Sequence, residues 1–175
     1  MADDLRSFAW ELYANLRAEV ISLQSIRGQV TGVKISLIVT GGVLIAANVH
    51  DLPRLALTVP AFAALLFDLL IHTYSYSICR TGFYCREHLE PILREGYRFP
   101  SEHPLWEEFM VSREAGRNVS VLGNLGLTVL TGVIAVIVLV RPFQLGTSAP
   151  SLAALLVLVG WDVWALDKPR RDFRC

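Results

Sequence analysis

Four apolar runs, residues 33–50, 55–74, 119–140 and 149–166, dominate this chain of 175 residues. Each comes close to the roughly 20 residues an α-helix needs to cross about 30 Å of hydrocarbon. A backbone in lipid must satisfy its own hydrogen bonds, so a run of this length reads as a helix. Composition agrees: 53% of residues are hydrophobic and only 18% charged, against roughly 25% charged in soluble domains, and mean hydropathy is +0.45. The predicted fold class is therefore an all-α membrane protein with four transmembrane helices. For the two shortest runs, 33–50 and 149–166, a re-entrant or buried helix is the alternative. The opening MADDLRSFAWEL carries acids where a signal peptide carries bases and has no compact apolar segment, so no cleavage is expected.

Orientation follows from the cations. Fourteen of the 16 lie before or at the mouth of the first run, where Lys34 stands, between the second and third, or after the fourth; only Arg54 and Arg141 lie in the two short connections. Both termini and the middle link are thus expected on the cytoplasmic side. Cys79, Cys85 and Cys175 then face the reducing side or its edge, where structural disulfides are not expected. The predicted organisation is a cytoplasmic amphipathic helix at 1–32, a transmembrane hairpin at 33–78, a cytoplasmic helical segment at 79–118, a second hairpin at 119–166 and a basic tail at 167–175.

Leu5, Phe8, Leu12, Leu16, Val20, Leu23, Ile26 and Val30 recur at gaps of three or four, which predicts an amphipathic helix, with Asp3 and Asp4 at its positive end. Its stripe can pack on the same subunit, zip against neighbouring subunits or lie on the bilayer. Leu5, Phe8, Leu12, Leu16 and Leu23 are accordingly candidates for assembly. The second run has no Gly or Pro from Ala61 to Thr81, and its helical pattern continues to Pro91 as a rod of about 54 Å over residues 55–90. Ser101, Pro104, Glu107 and Glu108 then announce another amphipathic helix, ending near Arg117. An echo at an offset of 90 lays Gly42 on Gly132 and Arg27 on Arg117. A duplicated helix-plus-hairpin unit would give pseudo-symmetry about the membrane normal, and Gly42 and Gly132 join the candidate assembly residues because small residues let helices approach closely.

Ionisable groups inside such runs are costly unless paired, hydrated or protonated, and so mark candidate functional positions. Asp68 and Asp162 each lie 13 residues into a run directed from outside to inside, and are expected at similar depth. His72 is one helical turn beyond Asp68 and shares its face. That pair offers a proton relay, against the alternative of an Asp68 locked structurally by His72, Lys34 or Arg80. Asp162 sits between Trp161 and Trp164, at headgroup level. Lys34, Asn124 and Thr128 complete the intramembrane candidates; Asn124, Thr128 and Thr131 fall near one face, fit for intrasubunit packing, a subunit interface or a polar pore lining.

Cys85 and His88 lie one turn apart with Glu87 and His103 near in sequence, but zinc wants four ligands at compatible spacing, so no metal is expected. The chain has no phosphate-binding glycine loop, nucleophile elbow or H-E-x-x-H, so neither enzymatic activity nor a cofactor is expected. Its bases are interleaved with acids, which argues against nucleic acid as a partner.

The block FYCREHLEPIL, placed after a span and before a tryptophan-bearing helix with WEEF, resembles a pattern in uncharacterised bacterial four-span membrane proteins. The layout over residues 5–91, a cytoplasmic helix feeding a span pair, is also similar to the SLATT family of small membrane effectors associated with nucleotide-signalling immunity. That resemblance implies an oligomer in the bacterial inner membrane that perturbs the bilayer when triggered. The functional expectation is thus a homo-oligomeric integral membrane protein, a pore or membrane-perturbing effector controlled through its cytoplasmic helices, with the lipid bilayer as its partner. Two alternatives are a small proton-coupled transporter using Asp68 and His72, and a scaffold recruiting a cytoplasmic protein.

Overall fold

The computed structural model describes residues 2–48, 52–97, 117–140 and 145–173. The described residues form α1 (Ala2–Ala47), a short 3-10 turn (Arg54–Thr58), α2 (Val59–Tyr84), a π-helical turn (Cys85–Leu89), α3 (Glu90–Tyr97), α4 (Arg117–Val140) and α5 (Leu145–Phe173). Among them there is no strand. Three helical stretches, Arg6–Ile45, Leu55–Tyr97 and Ser148–Pro169, are long and apolar enough to cross a membrane. The apolar helix Leu125–Val140 is shorter. An all-α membrane protein is the architecture these lengths and compositions describe.

The predicted boundary at residue 32 is not a break. α1 runs on through Gly28 and Gly32 for 46 residues, about 69 Å at 1.5 Å per residue. Each interior glycine costs a helix roughly 1 kcal/mol, and the packing of so long a helix outweighs that. The buried positions Ala9, Val20, Lys34 and Ile38, with half-buried Leu12, Leu16, Leu23, Ile26 and Val30 between them, form one seam at helical spacing. That seam packs against α2, the π-helical turn and α3. The expected stripe is therefore correct in period and slightly off in phase at its start: Ala9 is buried, whereas Phe8 is 63% exposed.

The second rod also runs further than expected, past Pro91 to Tyr97. A proline inside a helix lacks an N–H and its ring crowds the carbonyl four residues back. Here the turn before it widens: the Glu90 N–H donates to the carbonyl of Cys85, five residues back, and the helix resumes as α3. Cys85, Leu89, Glu90 and Leu93 stay buried along this stretch. Tyr13 donates to Glu90 Oε1 at 3.3 Å, and Trp10 stands edge-on to Tyr97 at 6.1 Å. A Cβ on Gly96 would sit 3.1 Å from Arg6 Cγ, so the end of α3 approaches α1 closely.

α2 is the hub, packed against α1, α4 and α5, while α4 also meets α5. Toward the α1–α2 turn the core is apolar, built on Ala61, Leu65, Ala135 and Leu155 with Phe62 and Leu158 against it. Polar layers replace it further along. Residues 104–116 of the expected helix, with His103, lie outside the described residues, and Arg117 opens α4.

Candidate functional site

Beyond that apolar core, a closed polar ring joins three helices. Lys34 on α1 and Asp68 on α2 are both fully buried, with Nζ 2.6 Å from Oδ1. Lys34 Nζ also donates to Thr128 Oγ1 on α4 at 2.7 Å, and the Thr128 hydroxyl donates to Asp68 Oδ2 at 2.5 Å. Both carboxylate oxygens are thus engaged, and the hydroxyl both accepts and donates. An ion pair so deep is tolerable only when further hydrogen bonds complete it. Here they do. Chemically the ring is a clamp between α1, α2 and α4.

One turn along α2 lies a second acid–base pair of different quality. His72 Nε2 is 3.0 Å from Asp162 Oδ1 on α5, with side chains 8% and 7% exposed. Yet neither atom has a partner at hydrogen-bonding angles. Distance alone does not make a hydrogen bond, whose strength falls steeply with misalignment. Of the partners expected for Asp68, the geometry gives it Lys34 and not His72. The i,i+4 spacing does bring both to the packed side of α2, but that side meets several helices. Asp68 reaches the full charge of Lys34, and His72 reaches α5. Asp162 is therefore opposite His72, a turn away from Asp68, instead of level with it.

The His72 layer opens into a crevice of about 220 Å³ between α2 and α5. Tyr76, Trp161, Trp164 and Lys168 line it with His72 and Thr73. Lys168 Nζ stands over two rings, 4.9 Å from the Trp164 centroid and 5.1 Å from that of Tyr76, within reach of cation–π attraction.

No protein-family model, curated protein or solved structure matches this chain.

The structure unites Lys34, Asp68 and Thr128 in one site, and His72 with Asp162 in another. Asn124 is one turn before Thr128 on α4, but its side chain, like that of Leu5, lies outside the described residues. Thr131 donates to the carbonyls of Leu127 and Thr128 within α4. Gly42 and Gly132 each have open space where a Cβ would stand, so neither serves a close helix contact within the chain. Cys85 is buried whereas His88 is exposed, and no group of three metal-ligating side chains occurs among the described residues. Sequence reasoning missed the role of Lys168; its place one turn after Trp164 was the available signal.

A wider groove of about 1200 Å³ lies between α1 and the start of α2. Gly32, Ser36 and Thr40, spaced by four, line it together with Val33, Leu37 and Leu44. On the same span Val39 and Val43 are 55% and 64% exposed.

Proposed function

We propose that this chain is a four-span integral membrane protein of the bacterial inner membrane, with both termini cytoplasmic. It assembles into homo-oligomers through the outer face of α1 and perturbs or perforates the bilayer under control of its cytoplasmic helices. The observation that carries this reading is the contrast between a filled interior and an open α1 face. The Lys34–Asp68–Thr128 ring fills the polar level where α1, α2 and α4 meet, which supports placing a conducting path between copies. The groove on α1 carries a Gly32–Ser36–Thr40 series, the small-residue spacing by which helices approach in lipid, where hydroxyls also bridge backbones. Resemblance to membrane effectors in the helix-and-hairpin layout points the same way.

The mass of the intact particle in lipid nanodiscs tests it. A multiple of the 19.5 kDa chain is expected; a strict monomer at every concentration would defeat the reading, because one chain of this size leaves little room for an internal channel.

A second reading has a specific observation behind it. Buried His72 and Asp162 lack well-directed hydrogen bonds, which suits a proton-handling pair in a small carrier. Here the working pair is His72 with Asp162, and Asp68 is structural. Proton flux in liposomes that Asp162→Asn abolishes, in a protein that remains folded and monomeric, would favour the carrier over the oligomer.

A further inference from the structure

The crevice between α2 and α5 has three properties that rarely coincide by packing alone. Its floor holds His72, a side chain more than nine-tenths buried whose Nε2 has no hydrogen bond. Its walls are aromatic, from Tyr76, Trp161 and Trp164. At its edge stands Lys168, held over two of those rings and in no ion pair among the described residues. Three neighbouring charges on α5 are otherwise engaged. Arg171 bonds Asp167 at 3.0 Å, and Asp172 accepts from the Tyr76 hydroxyl at 3.4 Å.

An aromatic girdle of Trp and Tyr sits at the level of lipid headgroups. Basic pockets between transmembrane helices on the cytoplasmic side suit anionic headgroups. The volume, about 220 Å³, is below the roughly 300–1,000 Å³ of pockets that enclose whole drug-sized ligands. It fits a headgroup whose acyl chains lie outside, along the exposed apolar surface of α5 at Val157 and Trp161. We propose that this crevice binds the phosphate headgroup of an anionic phospholipid of the cytoplasmic leaflet. Lys168 supplies the charge and His72 the polar floor. The proposal rests on the membrane orientation given above but not on oligomerisation, so the particle mass and lipid selectivity fail independently.

The test is native mass spectrometry of the full-length chain in detergent, titrated with phosphatidylglycerol or phosphatidylcholine. Phosphatidylglycerol should bind about fivefold or more tightly than phosphatidylcholine, the scale of one lysine at an anionic surface. Lys168→Ala should remove that preference and leave phosphatidylcholine binding unchanged. Thr73→Phe, at an exposed position of the crevice, should weaken phosphatidylglycerol by filling the space, and Arg171→Ala should not weaken it. Circular dichroism confirms that each variant keeps its helix content. Equal binding of the two lipids would overturn the proposal. So would equal losses from Lys168→Ala and Arg171→Ala, the mark of a diffuse charge effect. Displacement of phosphatidylglycerol by millimolar inorganic phosphate would overturn the lipid assignment in favour of a soluble phosphate compound.

Discussion

Two buried acid–base layers, one helical turn apart on α2, differ in how completely they are satisfied. At Lys34–Asp68–Thr128 the three side chains close a ring of hydrogen bonds between 2.5 and 2.7 Å. At His72–Asp162 the atoms are 3.0 Å apart but misdirected, and a crevice reaches the histidine. Burial is almost the same in the two layers; directed bonding is not. A completed network fixes helices relative to one another, whereas an incomplete one keeps capacity for a ligand, a proton or a movement.

The two layers should differ most at Lys34. Lys34→Met or Asp68→Asn alone should destabilise the folded chain in detergent by about 3–5 kcal/mol, because the remaining group is left buried without its counter-charge. Combining Lys34→Met with Asp68→Leu should recover much of that loss, since an apolar pair no longer carries the desolvation cost. Equilibrium unfolding of Lys34→Met, Asp68→Leu and their double gives the coupling. Thr128→Val is next in size: it strips Asp68 Oδ2 and Lys34 of a bond, for about 1–3 kcal/mol by the same measurement. Asp162→Asn should cost about 1 kcal/mol or less, because no well-directed bond is lost. A loss from Asp162→Asn as large as that from Asp68→Asn would erase the distinction between the layers. Smallest is Gly96→Ala, at the close approach of α3 to α1. The atoms it meets belong to the flexible Arg6 side chain, so a change within about 0.5 kcal/mol is expected, the gain in helix propensity offsetting the shift.

Periodicity carried most of what was legible beforehand. The α1 seam follows from Leu12, Leu16, Val20, Leu23, Ile26 and Val30, and the rod of α2 from its lack of glycine and proline, because both signals are local. Pro91 misled because the sequence does not show that a π-helical turn can absorb it. Partner choice was the harder matter. Spacing of four places Asp68 and His72 together, but which neighbour each meets depends on how α1, α4 and α5 surround α2. One signal did exist: the offset of 90 that lays Gly42 on Gly132 also lays His72 on Asp162, and those two residues meet. Counting from the start of each apolar run put Asp162 opposite Asp68 instead, since run edges locate depth only to within about a turn.

In the proposed oligomer the interior is locked and the outer face of α1 joins copies together. Replacing Thr40 with a benzophenone amino acid and irradiating intact membranes tests this most directly, with the probe at Leu66 on α2 as control, itself 55% exposed. Dimeric and higher adducts of the chain from position 40, and few from position 66, are predicted. Adducts with lipid alone from position 40, or equal yields from both positions, would contradict the account.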